Sequence, residues 1–337
     1  MNRLIIILIL IISAPSGYAQ DRGQIASKPL YRDPVYDGAA DPVVIWNEGE
    51  KRWFMFYTNR RANLQEINGV DWVHGTPIGI AESTDNGATW KYRCDANISY
   101  GEEDYTYWAP DVIAHGGKYH MYLTVVPGTF SDWKHPRDIV HLTSDDLIDW
   151  TFESILQLAS DKVIDAGVFN ANDGWWYMYY NNEKDRKSIY SAKSKDLYNW
   201  ENVGKVIDDK AGEGPKVFYW QNQYFMIVDN WDGLGVYSSQ DLKNWERQPE
   251  NILQKPGKGE DDTTKGLHAD VVVNDDRAYI FYFTHPERVP SEDGGAGSAN
   301  DSYEVRRSSV QVAELEYRDG IIVCDRDKPV YINLKHP

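Results

Sequence analysis

The chain has 337 residues, with 52 Asp and Glu against 35 Lys and Arg, a formal charge of −17. That balance excludes a nucleic-acid binder, whose phosphate partner would be repelled, and suits a neutral partner. With 13 Trp and 23 Tyr, the roughly 300 residues beyond the N-terminal segment have the material for one large core, and for ring faces on which sugars stack.

The N-terminus runs Met1-Asn-Arg3, then an apolar stretch Leu4 to Ile12, then small residues ending Gly17-Tyr-Ala19. This pattern predicts a secretory signal peptide, residues 1–19, with cleavage after Ala19. Its apolar run is too short to span a bilayer as a mature helix, and no Cys follows it at the place a lipid anchor needs. The mature chain, 20–337, is expected to be one domain, periplasmic or released.

After an irregular lead-in from Gln20 to Ala40, five hairpin patterns follow one another. They are Asp41-Pro-Val-Val-Ile with Trp53-Phe-Met-Phe-Tyr, Trp108-Ala-Pro-Asp-Val-Ile with Tyr119-His-Met-Tyr-Leu, and Asp165-Ala-Gly-Val-Phe with Trp176-Tyr-Met-Tyr-Tyr. The last two are Glu213-Gly-Pro-Lys-Val-Phe with Tyr224-Phe-Met-Ile-Val, and His268-Ala-Asp-Val-Val-Val with Tyr279-Ile-Phe-Tyr-Phe. Each is a β-branched run, a polar turn and an aromatic strand.

Downstream of these hairpins a second repeat appears: Ser144-Asp-Asp-Leu-Ile-Asp-Trp150, Ser194-Lys-Asp-Leu-Tyr-Asn-Trp200, Ser239-Gln-Asp-Leu-Lys-Asn-Trp245, and the looser Ser83-Thr-Asp-Asn-Gly-Ala-Thr-Trp90. Ser and Asp in this pattern bond back to nearby amides, and the Trp packs between sheets. Closing tryptophans about 45 to 60 residues apart give the period of propeller blades. The expectation is an all-β fold, a five-bladed β-propeller of four-stranded blades. Strands from Ser308 to Tyr317 and Ile321 to Cys324 complete the fifth. Long polar inserts at 59–76, 129–137, 254–266 and 289–301 are expected to gather at one face and shape a binding mouth. Cys94 and Cys324, far apart in sequence, form no disulfide framework.

The first strand of each propeller blade lines the axial channel, so residues at its entrance converge from distant points in the chain. Here they are Asp41, Asp111, Asp165, Glu213, and His268 with Asp270. Carboxylates crowded near one axis have their pKa values pushed apart. An Asp before Pro or Gly also caps a turn, but recurrence at blade entrances with differing residue types points to chemistry.

On these motifs the chain resembles glycoside hydrolase family 43 and its relatives, over most of its mature length. The resemblance implies Asp41 as general base, Asp165 as the aspartate that tunes the acid, and Glu213 as general acid. It implies a substrate motif at Trp108-Ala-Pro-Asp111, and a sugar-side arginine at Arg306 or Arg307. It also places His268 beside an axial calcium ion or its waters. The chain departs from the family pattern at Ala166, where Pro is usual, and at Ala269, where Gly is usual.

The mechanism implied is single-step hydrolysis with inversion, with the acid and base roughly 6.5–9.5 Å apart. Glu213 then has to hold its proton at working pH, with Asp165 as the neighbour that keeps it there. The substrate class is a terminal arabinofuranosyl, xylosyl or galactose-type unit of a plant or algal oligo- or polysaccharide. A sister family that removes anhydro-galactose uses a histidine acid, which makes His268 or His285 the alternative. Ser83-x-Asp-x-Gly-x-Thr-Trp90 also fits the sialidase Asp box, but only five hairpins are countable. A non-catalytic glycan-binding propeller would tolerate loss of the carboxylates, and this chain keeps all three.

Overall fold

The structure is a computed structural model that describes residues 23–288 and 302–336. The predicted signal peptide, 1–19, and the insert at 289–301 lie outside the described residues. Five sheets follow in chain order. The first four strands, Ala39–Asn47, Arg52–Asn59, Ile78–Ser83 and Lys91–Asp95, make blade one. Blade two is Thr106–His115, Lys118–Val126, Asp138–Ser144 and Asp149–Ile155, with Asn97–Ser99 added parallel to its outer strand. Blade three is Val163–Asn170, Trp176–Asn182, Ser188–Ser194 and Glu201–Ile207. Blade four is Glu213–Trp220, Gln223–Asp229, Leu234–Ser239 and Glu246–Arg247, and blade five is Leu267–Asn274, Arg277–Thr284, Ser309–Arg318 and Ile321–Cys324. Each blade is an antiparallel meander, and the five first strands neighbour one another in a ring. The predicted five-bladed propeller is therefore the fold.

The second strands explain why the blades stack. Phe54, Met55, Phe56 and Tyr57 are buried in succession on both sheet faces, as are Met121, Tyr122 and Leu123. A sheet packed on both faces reads as a continuous apolar run instead of an alternating one.

Each Ser/Asp turn then fastens one blade to the previous one. Ser144 Oγ accepts the amides of Asp146 and Leu147, and Asp146 Oδ1 those of Ile148 and Asp149. The same bonds recur from Ser194 and Asp196 and from Ser239 and Asp241. With the turn fixed, Trp150 packs edge-on against Phe56, Trp200 against Tyr122 and Trp245 against Tyr179, with centroids 5.8, 5.5 and 5.7 Å apart. The looser copy does the same across the seam, placing Trp90 6.5 Å from Phe281 of blade five.

That seam is where the chain ends meet. Gln24–Ile25 pairs antiparallel with Tyr331–Ile332 from the other end of the chain, Tyr31 N donates to Val310 O, and Trp53 Nε1 donates to Leu334 O. Cys94 and Cys324 are both free thiols. Among the described residues no helix is long and apolar enough to cross a membrane.

Candidate active site

All five inner strands are interrupted by a bulge at the same height. The pairing slips between Ala40 and Val43, Trp108 and Asp111, Ile164 and Gly167, Glu213 and Lys216, and Leu267 and Ala269. Pro42, Pro110 and Pro215 lie in three of these slips, where a residue without an amide N–H interrupts the ladder at no loss. Asp41, Ala109, Asp165 and Gly214 take left-handed backbone there, with φ of 52°, 42°, 60° and 58°. Two aspartates in that region are strained in the way functional residues often are. Gly214 has a further reason to be glycine, because a Cβ would sit 2.6 Å from the His268 ring.

Superimposing the bulges aligns Asp41-Pro-Val43, Ala109-Pro-Asp111, Asp165-Ala-Gly167, Gly214-Pro-Lys216 and His268-Ala-Asp270. The expected single ring of acidic groups is thereby corrected to two layers. Asp41, Asp165 and His268 stand at the bulge itself, whereas Asp111 and Asp270 lie two residues further along their strands, level with Lys216. In that deeper layer Lys216 Nζ is 2.7 Å from Asp111 Oδ1 and 3.0 Å from Asp270 Oδ1. Asp111 Oδ2 accepts the Val168 amide of the next blade, and Asp270 Oδ2 that of Val44. Asp165 Oδ2 takes Gly214 N and Asp229 Oδ2 takes His268 N. Buried carboxylates thus join blade two to three, three to four, four to five and five to one. Gly167 fits the same layer because a Cβ would meet the Pro215 carbonyl oxygen at 2.0 Å.

In the upper layer His268 Nδ1 lies 3.4 Å from Asp41 Oδ1 and 3.8 Å from Asp165 Oδ2. Arg60 Nη2 is 3.3 Å from both Asp41 oxygens. Burial works against ionisation of Asp41, but the charges of Arg60 and His268 outweigh it and hold the carboxyl well below the usual range. Burial likewise opposes the imidazolium, yet the Asp41 hydrogen bond and the charges of Asp165 and Asp41 lift His268 to about 9. For Asp165 burial dominates: with His268 opposing and Glu213 and Asp41 adding repulsion, its carboxyl is raised to about 8. Asp165 thus holds its proton more readily than a solvent-exposed carboxyl. Asp229, buried and repelled by Glu213, is pushed up to about 7.

Glu213 opens blade four, its Cα opposite that of Asp229, and its side chain is 24% exposed. Trp231 Nε1 donates to its Oε1 at 3.1 Å, and Lys187 Nζ lies 4.0 Å from Oε2. A buried carboxylate whose ionised form is favoured and a second carboxyl open to the mouth stand on different blades of one channel, an arrangement that can activate water on one side and protonate an oxygen on the other.

Residues 31–193 match the family profile described as glycosyl hydrolases family 43. The resemblance to glycoside hydrolase family 43 holds. A thermostable family-43 glycoside hydrolase has the same fold, at 20% identity over 91% of this chain and 99% of that one, with a TM-score of 0.63. So does a family-43 β-1,3-galactosidase with galactodeoxynojirimycin, at 17% identity over 89% and 98% and a TM-score of 0.64. Curated relatives include a fructan beta-fructosidase of Streptococcus mutans, 27% identical over 41% of this chain, and a probable sucrose-6-phosphate hydrolase of Vibrio cholerae, 28% identical over 40%. The chain spans 11% and 28% of those two relatives' lengths.

The other residues that the family-43 motifs single out lie as follows. Trp108 is buried, with Nε1 donating to Val73 O at 2.6 Å, and its ring faces the Arg137 guanidinium at 5.3 Å. Arg137 pairs with Glu183 at 2.6 Å, and Glu183 with Lys187 at 3.7 Å, so Trp108 reaches Glu213 through a chain of charges. Asp111, expected to meet substrate, is 4% exposed with both oxygens committed to Lys216 and Val168. It braces the axis. Arg307 forms a two-pronged pair with Asp261, at 2.8 Å on each oxygen, and Arg306 donates to Leu64 O at 2.9 Å. The alternative acid His285 is buried; its Nδ1 donates to Arg307 O and its Nε2 accepts from Arg60. Burial and the neighbouring Arg288 and Arg60 hold its pKa well below the usual value.

A solved family-43 β-xylosidase/α-arabinofuranosidase from a compost metagenome is in a calcium-free form, which makes the axis the place to test for such an ion. Calcium takes 6–8 oxygen ligands. Here an ammonium already bridges the axial carboxylates, and His268 Nδ1 faces Asp41 and Asp165. Among the described residues no group of three or more His, Cys, Asp or Glu is disposed to hold a metal. Any calcium beside His268 would therefore be held mainly through water.

Sequence reasoning missed Arg60, Lys187, Trp231 and Lys216. Only Lys216 left a signal: it stands in the quoted Glu213-Gly-Pro-Lys motif, at the repeat position that Asp111 and Asp270 occupy in their blades.

Proposed function

We propose that the protein is an inverting glycoside hydrolase that removes terminal sugars from oligo- or polysaccharides, with Asp41 as general base and Glu213 as general acid. The observation that carries this reading is Asp41, buried, strained, and held ionised between Arg60 and His268 at the mouth onto which Glu213 opens. An ionised base must face water across the sugar ring from a protonated acid, and these two groups stand on different blades of one channel.

Water would lose its proton to Asp41 as its oxygen attacks the anomeric carbon, while Glu213 delivers a proton to the departing oxygen. Arg60 and His268 keep Asp41 from accepting a proton from bulk water beforehand. Asp165 and Asp229 shape the environment of Glu213 from blades three and four. His268, paired with Asp41 and Asp165, is a poor candidate for the acid, which favours the carboxylate reading over the histidine-acid sister family. For the substrate we propose arabinofuranosyl, xylosyl or galactose-type ends, met outside the cytoplasm after export by residues 1–19. The names of the curated relatives add fructosyl ends to the set.

A panel of aryl glycosides and oligosaccharides bearing these ends tests the activity, and variants test the roles. Glu213→Gln should lose about 10²–10⁴-fold on unactivated substrates but far less on activated aryl glycosides, which need little protonation. Asp41→Asn should lose a similar factor on both, because no leaving group replaces the base. If Glu213→Gln slows both kinds equally, Glu213 is not the acid.

A further inference from the structure

Trp231 is the least expected residue of the site. It has a bulky aromatic side chain on a backbone of φ 56°, where such residues are genuine outliers. The turn that holds it is fastened on every side. Trp231 N donates to Asp229 Oδ1 at 2.7 Å, Asn230 Nδ2 to Ala211 O at 2.8 Å, and Asn251 Nδ2 to Asp232 O at 3.0 Å. Lys265 pairs with Asp232 at 2.6 Å. Backbone strain persists only where surroundings over-determine it, and where it does it clusters at functional positions. What the strained turn achieves here is specific: it carries the indole N–H to Glu213 Oε1, while Lys187 Nζ stands 4.5 Å over the indole ring and 4.0 Å from Oε2.

We propose that Trp231 is the positioning residue of the acid: its N–H engages Glu213 Oε1 and so leaves the transferable proton on Oε2, the oxygen that faces Lys187. The inference rests on the reading of Glu213 as acid. An indole nitrogen only donates, and a protonated carboxyl has one O–H and one good acceptor, so the two oxygens of Glu213 are no longer equivalent. In the reaction the Oε2–H bond breaks as an O–H bond forms on the glycosidic oxygen. The bond from that oxygen to the anomeric carbon breaks in the same step, and the leaving group departs neutral. Negative charge appears on Glu213 at that moment. The N–H on Oε1 and the ammonium near Oε2 both strengthen as it appears, so they act on the transition state more than on the bound substrate.

The experiment compares wild type, Glu213→Gln and Trp231→Phe on phenyl and 2,4-dinitrophenyl glycosides of a sugar that the wild type hydrolyses. Phe keeps the ring under Lys187 and removes only the donor. Trp231→Phe should lower kcat/KM on the phenyl glycoside by about ten- to a hundredfold, the factor that one hydrogen bond to a charged group represents. The loss on the dinitrophenyl glycoside should be a few-fold at most, and KM should hold. An equal loss on both, or none on either, overturns the proposal. If Glu213→Gln itself shows no leaving-group dependence, the acid assignment fails instead. A second readout needs neither activity nor a folded Trp231 variant: in wild-type protein one indole N–H proton resonance should titrate with pH, and that titration should vanish in Glu213→Gln. No such indole, or one that still titrates in the variant, overturns the proposal.

Discussion

Lys216→Met tests whether the axis of the propeller is held by charge. Methionine keeps the length and apolar stem of lysine but deletes the ammonium that lies 2.7 Å from Asp111 and 3.0 Å from Asp270. Those carboxylates are 4% and 2% exposed, so the variant leaves two buried negative charges facing each other. Removing one partner of a buried ion pair costs about 3–5 kcal/mol. Each carboxylate keeps backbone donors, Val168 N on Asp111 and Val44 N and Val271 N on Asp270, which argues for the lower end, ~3 kcal/mol. For a domain of this size that is a fall in Tm of roughly 5–10 °C. Thermal unfolding at pH 7 measures it, and repetition at pH 5 identifies the cause. Uncompensated carboxylates take up protons as the pH falls, so the deficit should shrink on acidification. A Tm unchanged at pH 7 would refute the reasoning, and so would a deficit that is equal at both pH values, which would mean lost packing instead of charge.

Asp165→Asn replaces a carboxyl whose pKa is raised to about 8 with a neutral isostere. Its kcat/KM at pH 6 should therefore fall by less than about tenfold; a thousandfold loss at pH 6 would show that Asp165 acts as an anion. Folding stability should decline between pH 6 and 9. His268, raised to about 9, contributes stability that is complete below its unfolded value near 6.5 and is lost as pH rises through 9. Asp165 at about 8 and Asp229 at about 7 ionise earlier in the unfolded chain, so they too favour unfolding as pH rises from about 4 to 8. A Tm that climbs from pH 6 to 9 would contradict both signs. Exhaustive chelation followed by excess calcium should leave Tm and hydrolysis unchanged, because Lys216 already neutralises the axial carboxylates; restoration of lost activity by calcium would overturn that account.

The blade count, the Ser/Asp turns and the positions of Asp41, Asp165 and Glu213 at blade entrances were all legible in the sequence. These features repeat, and a repeat reports local physics: a turn closed by its own Ser and Asp, and a strand buried on both faces, look alike wherever they occur. The tertiary structure alone decided which charges meet. Asp111 read like the catalytic aspartates until the bulges, which depend on pairing with the second strand, set it two residues deeper against Lys216. Asp165 read as a blade-entrance carboxylate, and only the ring of blades shows that it is buried. Arg60, Lys187 and Trp231 follow no repeat, since each lies in a turn or connection peculiar to its own blade. Their partners, Asp41 for Arg60 and Glu213 for the other two, are set by how the blades close around the axis.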